Sequence, residues 1–277
     1  MPSWFSEFFK VASMYNIGQQ IWNGYMGIVS SLMGADTLES LNPVAWLFVS
    51  RAVYPWMVSA ALVLMNMFFM IGFVRQSTNL RENITIESWI ELIIKVIIAN
   101  ALIVNGISLM QSFFSVAAEM KNLFFKDGTS INVMPNDVDA GMVFSQISFG
   151  VLYIIICTIS GLIVLVEVFS RFLNLYMLVC AAPIALSTIA GGREFEGTAK
   201  SWFKSFLTNV FQIVVIALIL KIGGFMITGW GFADSTNSPL DWFDGANSVL
   251  ASMAQITIIA TAVKGSDAFL KRVFDLK

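Results

Sequence analysis

The residues of this chain best placed to do chemistry are one acidic and one basic side chain inside a long apolar stretch. Glu167 and Arg171 stand four residues apart, so on a helix they share one face and can pair, with the glutamate first as the helix dipole prefers. Charged side chains inside apolar spans are rare and often mark ion or substrate paths. The pair therefore indicates either a charged element that lines a conduit or gates a helix shift, or an interfacial ion pair that orients two helices.

Most enzyme chemistry lacks its usual residues in this sequence. None of the 277 residues is a histidine, which excludes His-dependent triads, imidazole zinc sites and histidine proton relays. The two cysteines, Cys157 and Cys180, lie in apolar stretches where thiols act as small buried hydrophobic groups. No phosphate-binding Gly-Lys-Ser loop and no cysteine pair at metal-ligand spacing occurs. We therefore expect a protein that is not an enzyme and that binds no cofactor or metal.

The amino-acid composition indicates whether the chain is a soluble or a membrane protein. Hydrophobic residues make up 57% of the chain and Asp, Glu, Lys and Arg only 12%, whereas soluble proteins average about 25% charged residues. With a mean hydropathy of +0.77, polar side chains are too few to cover a water-soluble globule. The formal charge of -2 provides no field for holding nucleic acid. We predict an integral membrane protein that does not bind DNA directly.

Long gaps between charged residues predict the elements that position these groups, because about 20 apolar helical residues cross a bilayer core about 30 Å thick. The predicted fold is all-α: a polytopic helical membrane protein with five to six transmembrane helices plus an N-terminal amphipathic helix. The uncharged gaps lie at residues 52–74, 96–118, 140–166, 172–192, 205–220 and 245–263.

The same pattern divides the chain into three regions. Residues 1–51 form an N-terminal amphipathic or interfacial region, because aromatic side chains recur at helical spacing and polar amides follow them. Residues 52–263 form the transmembrane helical domain, and residues 264–277 form a C-terminal tail. Loops of the transmembrane domain are expected at residues 75–95, 119–139, 191–204 and 231–248.

The orientation of the chain depends on residues 140–190, which can form a hairpin of two spans or one long helix that crosses once. The hairpin places 11 Lys and Arg residues inside and 4 outside, and the single crossing places 10 inside and 4 outside. The positive-inside rule therefore does not choose between them. The last 14 residues contain four basic side chains, whereas residues 231–248 contain acidic charges only, so we expect a cytoplasmic C-terminus in both topologies.

The 191–204 loop is also cytoplasmic in both topologies, which makes it available to partner proteins. Its charged residues are the candidates for partner docking: Arg193, Glu194, Glu196, Lys200 and Lys204. Pro183 precedes this loop in an apolar run, where its missing N–H can bend the helix and let neighbouring helices shift. The structural or gating candidates are Glu167, Arg171 and Pro183.

Two blocks of the sequence have a recognisable order of features. The first runs from Gly72-Phe73-Val74-Arg75-Gln76 through Glu87 to Asn105-Gly106, as a span, a short charged loop and an amphipathic entry into the next span. The second begins at Glu167 and contains Arg171, Cys180-Ala181-Ala182-Pro183, Gly191-Gly192 and a loop to Lys204 with the aromatic residues Phe203 and Phe206 at its end. Together these blocks cover a third to a half of the chain, and they resemble the TrbL-like polytopic membrane subunits of bacterial conjugation and type IV secretion machines.

This resemblance implies a membrane channel or scaffold subunit that helps DNA or protein to cross the bacterial cytoplasmic (inner) membrane. The implied partners are other type IV secretion subunits including the ATPases, membrane lipids and further copies of the chain, with DNA only as possible cargo. It also implies about five spans and an external N-terminus, which favours a single crossing. Two rival hypotheses are a small-solute secondary transporter that uses Glu167 and Arg171, and a scaffold or toxin-immunity protein whose helices only bind a partner.

Overall fold

The computed structural model describes residues 11–78, 86–124, 143–192, 195–229 and 246–274, and these residues are helical almost throughout. Nowhere in these ranges is there a β-strand, which confirms the predicted all-α class. The helices are α1 (Val11–Met33), α2 (Leu38–Leu41), α3 (Pro43–Leu47), α4 (Tyr54–Thr78), α5 (Ile86–Phe124), α6 (Val143–Ser187), α7 (Glu196–Gly229) and α8 (Ala246–Val273). A π-helical turn, Phe48–Val53, joins α3 to α4, and a 3-10 turn, Thr188–Gly191, follows α6.

Four of the described segments are long and apolar enough to cross a membrane: Pro43–Arg75, Trp89–Phe124, Phe149–Gly191 and Glu196–Gly223. This result agrees with the predicted multi-pass membrane protein at the level of its class. The remaining spans of the predicted five to six, and the membrane role of α1, stay predictions.

Residues 143–187 form one continuous helix of 45 residues, about 68 Å long at 1.5 Å per residue. The hairpin alternative needs a turn near residue 168, but Val168, Phe169 and Ser170 are helical. Of the two conformations that the sequence left open, the structure has the long single helix. Pro183 is buried within its last turns.

The loops are shorter than the charge pattern predicted wherever the structure describes them. Helix α4 continues to Thr78 and α5 begins at Ile86, inside the predicted 75–95 loop. Likewise α7 begins at Glu196, inside the predicted 191–204 loop. Charged residues continue these helices because they recur at i and i+4, where opposite charges stabilise a helix. Most of the other two predicted loops lies outside the described residues.

The described helices divide into two compact units. Unit 1 contains α1, the last turn of α5, α6 as far as Ser170, α7 from Ile213 and α8 as far as Ser266. Unit 2 contains the residues from Ala35 to Glu119, α6 from Arg171 onward, α7 as far as Gln212, and the residues after Ser266.

In unit 1, α1 packs closely on α6. Tyr15 and Tyr153 meet edge to face with ring centroids 5.7 Å apart, and Gly18 lies directly against the Tyr153 ring. At the end of α1, the buried ammonium group of Lys121 donates a hydrogen bond to the Met33 carbonyl. A cation at a helix C-terminus satisfies an unpaired carbonyl and interacts favourably with the helix dipole. Unit 1 therefore depends on small residues that allow close approach and on a charged cap.

Two of the three glycines of α1, at positions 18 and 24, make this packing testable. A Cβ on Gly18 would lie 2.5 Å from Tyr153 Cδ1, whereas a Cβ on Gly24 would meet nothing within 4 Å. We expect Gly18→Ala to lower the free energy of unfolding by about 1–3 kcal/mol through overpacking. Gly24→Ala should raise it by about 0.5–1 kcal/mol, because alanine favours the helix. Thermal unfolding in detergent measures both, and equal effects would show that α1 does not pack as described.

In unit 2, two pairs of helices run antiparallel. Helix α4 lies against α5, with the Tyr54 hydroxyl donating to the Ile103 carbonyl at 3.1 Å near one end and Phe73 packing on Trp89 at 4.7 Å near the other. Helix α6 lies against α7, where the Trp202 indole N–H donates to the Leu178 carbonyl at 3.0 Å. These long-range bonds satisfy polar groups that would be unfavourable if left unpaired in an apolar interior.

Helices α5 and α7 run in the same direction within unit 2. Near their beginnings Lys95 contacts Glu196, and further along both helices Phe113 packs edge to face on Phe203, with centroids 5.8 Å apart. The third turn of α5, which contains Lys95, and the first turn of α7 therefore lie close together in unit 2. This close approach positions the charged cluster described below.

Candidate functional site

Arg171 lies on the part of α6 that belongs to unit 2, and only 1% of its surface is exposed. Its Nε donates a hydrogen bond to the Asn209 carbonyl of α7 at 2.8 Å. The guanidinium carbon lies 4.6 Å from the centroid of the neighbouring Phe172 ring, within the range of a cation–π contact. Within the described structure, the buried Nη1 and Nη2 atoms have no hydrogen-bond partner. A guanidinium with two unbonded Nη nitrogens is thus held inside an apolar helix pair.

This arrangement differs from the pairing that the sequence predicted. Glu167 stands one turn before Arg171 on α6 and is half-buried. The hydrogen bond that Arg171 makes goes to a backbone carbonyl on another helix, and its two terminal nitrogens bond to no carboxylate. The structure therefore fixes Arg171 against α7 through Asn209, a residue that the charge spacing did not indicate.

The face of α7 near Arg171 carries further polar side chains that bond within their own helix. The Asn209 side-chain amide donates to the Ser205 carbonyl at 2.9 Å, and the Thr208 hydroxyl donates to the Lys204 carbonyl at 2.9 Å. Such local bonds satisfy polar groups in an apolar setting without a partner from another helix. They leave the Nη donors of Arg171 as the unsatisfied polar atoms of this face among the described residues.

A second group of charges joins the beginnings of α5 and α7. Lys95 Nζ lies 2.8 Å from a Glu91 oxygen and 2.5 Å from Glu196 Oε1, and the second oxygen of Glu196 lies 3.2 Å from Lys200 Nζ. The side chains of Lys95 and Glu196 are only 17% and 19% exposed. An ion pair that is partly withdrawn from water is screened less than one on the surface. This four-residue ion-pair cluster therefore connects two helices that are far apart in sequence.

The candidates for partner docking fall on a helix where the structure describes them. Glu196, Lys200 and Lys204 lie on the first turns of α7 and not in a loop. Of the three, Lys200 is exposed, while Glu196 and Lys204 are half-buried. Arg193 and Glu194 lie outside the described residues. Because Glu196 bonds to Lys95 and Lys200, it contributes to internal packing as well as to any docking surface.

The backbone beside the cluster is held by a close helix contact. A Cβ on Gly72 of α4 would lie 3.0 Å from the Gly191 carbonyl oxygen, so a larger residue would displace the backbone at this point. The Phe195 ring packs on Phe68 at 5.1 Å, and the Arg75 guanidinium lies 5.8 Å from the same ring. Gly191 and Phe195, which flank the connection from α6 to α7, therefore both contact the last turns of α4.

The candidate site residues predicted from the sequence did not include Lys95, Glu91 or Asn209. The i,i+4 spacing of Glu91 with Lys95 and of Glu196 with Lys200 was a readable signal for helices that begin within the predicted loops. Nothing in the spacing shows that the two pairs meet. Nowhere in the described residues do three or more Cys, Asp or Glu side chains gather as a metal site would require.

Comparison with protein-family models, with curated proteins and with solved structures finds no match to this chain.

Proposed function

We propose that this chain is a multi-pass subunit of a bacterial conjugative type IV secretion machine in the cytoplasmic membrane, where it helps DNA or protein to cross. The observation that carries the proposal is the packing of the two blocks that resemble TrbL-like subunits. Residues 72–106 of the first block and residues 171–204 of the second belong to unit 2, whereas residues 167–170 belong to unit 1. Within unit 2 the blocks meet through the Lys95–Glu196 ion pair and through the contact of Gly72 with Gly191. Most of the two blocks therefore forms one physically connected part of the molecule.

The ion-pair cluster also supports a particular topology. A single crossing by α6 places the 75–95 and 191–204 segments on the same side of the membrane, whereas the hairpin places them on opposite sides. Two side chains 2.5 Å apart cannot lie on opposite sides of a core about 30 Å thick. We propose five crossings by α4, α5, α6, α7 and α8, with an external N-terminus, an interfacial α1 and a cytoplasmic C-terminus.

In this topology the ion-pair cluster faces the cytoplasm, where secretion ATPases and other subunits could bind it. Several copies of the chain would surround the route, since the helices of one copy enclose little polar lumen and closed symmetric rings are common. Arg171 would lie deep in the membrane, because Asn209, its partner, is 13 residues and about 20 Å along α7 from Glu196.

A small-solute secondary transporter is the second candidate function, because the free Nη donors of Arg171 could bind an anionic solute. Vesicles that contain the purified protein distinguish the two. Anion uptake that Arg171→Met abolishes would favour the transporter, and the absence of uptake would favour the secretion subunit.

The proposed function is tested by an in-frame deletion of the gene in a donor cell. We expect conjugative transfer to fall below detection and to return when the gene is supplied on a plasmid. Immunoblots of the remaining secretion components provide the control for secondary loss. Transfer at the parental frequency, with those components present, would contradict the proposal.

A further inference from the structure

Unit 2 contains a cavity of about 420 Å³ bounded by α5, the end of α6 and the beginning of α7. Its lining is apolar except for Glu196 and Lys200 at one end. Two of the lining residues, Leu109 and Phe203, are 40% and 36% exposed, so the cavity opens on the outer surface of these helices. Its volume lies within the roughly 300–1,000 Å³ typical of sites for small organic ligands.

An apolar cavity of this kind is not a water site. Water needs two to four polar partners, and a cavity lined by aliphatic and aromatic groups stays dry. An unfilled cavity also forfeits dispersion contacts along its whole lining. The three helices that line it are long and apolar enough to cross a membrane, so the groups that face its opening in a bilayer are lipid acyl chains.

The charged end of the cavity is suited to a lipid phosphate. Glu196 pairs with Lys95 through one carboxylate oxygen and with Lys200 through the other. The single negative charge of Glu196 is therefore balanced by two ammonium groups. Lys200 makes one of its three possible hydrogen bonds to Glu196, and its side chain is 74% exposed. The Lys200 ammonium group at the end of the cavity can therefore pair with the phosphate of a lipid whose acyl chain lies in the cavity.

We propose that this cavity binds one acyl chain of a membrane phospholipid, with the lipid phosphate held by Lys200. The inference concerns the membrane protein itself and is independent of its place in a secretion machine. A bound lipid would complete the packing between α5 and α7 beside the ion-pair cluster.

Native mass spectrometry of the full-length protein, purified in detergent and titrated with palmitoyl-oleoyl phosphatidylglycerol, tests this proposal. We expect one lipid to be retained by the wild type. Leu109→Trp fills the cavity from its opening and should weaken lipid retention by about tenfold. Leu173→Trp is the matched control, because Leu173 is 50% exposed on α6 and does not line the cavity. This control should retain lipid as the wild type does.

A second pair of measurements separates the acyl chain from the phosphate. Lys200→Gln should weaken retention of phosphatidylglycerol severalfold while leaving retention of dioleoylglycerol, which has no phosphate, unchanged. In vesicles that contain phospholipid with brominated chains, the wild type should be quenched more strongly than Trp202→Phe, because Trp202 lines the cavity and is otherwise buried. This second readout applies even if Leu109→Trp fails to fold.

Three results would overturn the proposal. They are a wild type that retains no lipid, equal retention by Leu109→Trp and wild type, and quenching that Trp202→Phe does not reduce. A dimer that Leu109→Trp disrupts without any change in lipid retention would assign the cavity to a second copy instead. None of these measurements depends on DNA transfer, so failure here is distinguishable from failure of the proposed function.

Discussion

Arg171→Met is expected to reduce conjugative transfer by about a hundredfold or more, while the purified protein unfolds at an unchanged or higher temperature. Burying a guanidinium is energetically costly unless its donors are satisfied, and two nitrogens of Arg171 have no partner in the described structure. Methionine fills a similar volume without that desolvation cost. Because packing and hydrogen bonding do not account for a buried arginine with two unbonded nitrogens, we assign Arg171 a role in function.

The Arg171 experiment measures protein stability and conjugative transfer separately. Thermal unfolding in detergent reports stability, and mating assays report transfer. Arg272→Met is the matched control, since Arg272 is exposed on α8 and its replacement should change neither quantity. Loss of both stability and transfer in Arg171→Met would give Arg171 a structural role, and unchanged transfer would remove it from the candidate site.

Cysteines placed at positions 95 and 196 are expected to cross-link within one molecule. The Lys95 and Glu196 side chains meet at 2.5 Å, so Lys95→Cys combined with Glu196→Cys brings two thiols within reach of a short bifunctional thiol reagent. Such a reagent suits this pair better than direct oxidation, because a disulfide requires Cα atoms about 4.4–6.8 Å apart and ion pairs between long side chains span more. The background carries Cys157→Ala and Cys180→Ala, which removes both native thiols.

The matched control for this cross-link pairs Lys95→Cys with Leu173→Cys. Leu173 lies on α6 close to the level of Asn209 and not near the ion-pair cluster, so we expect no product. Electrophoresis of the proteolysed protein shows whether the two halves remain joined. Absence of a cross-link in the first pair, or equal yield in both, would contradict the parallel arrangement of α5 and α7.

The helices themselves were largely predictable, because an uncharged apolar run of about 20 residues is long enough to cross a bilayer as a helix. The uncharged residues 52–74 and 96–118 lie almost wholly within α4 and α5. Helix boundaries were predicted less well. The loop predicted from the charges extended to residue 95, yet Glu91 and Lys95 lie inside α5, where each neutralises the other one turn away.

The long helix α6 illustrates a second limit of the charge pattern. Glu167 and Arg171 suggested a possible break, but the helix continues through both. Continuity keeps the backbone N–H and C=O groups between residues 167 and 171 bonded within the helix, and in lipid an unsatisfied backbone group costs several kcal/mol. Two charged side chains are more easily accommodated than a turn, provided that they face protein. Arg171 does so by packing on α7.

The contacts of the candidate site could not be predicted from one sequence. Arg171 bonds to a carbonyl 38 residues away, and Lys95 pairs with a carboxylate on a helix beyond α6. Sequence spacing reports neighbours on one helix face, whereas these partners depend on which helices lie side by side. The cavity at the beginning of α7 is equally invisible to periodicity, because it results from the packing of three helices.

The most direct test of the single-crossing topology is the labelling of one cysteine at position 132, between α5 and α6 and outside the described residues. Asn132→Cys is placed on the background without native thiols, and intact cells are treated with a membrane-impermeant maleimide. We predict labelling in intact cells, because the segment between α5 and α6 would face the exterior. Labelling only after lysis would place it in the cytoplasm and contradict the topology on which the proposed docking surface depends.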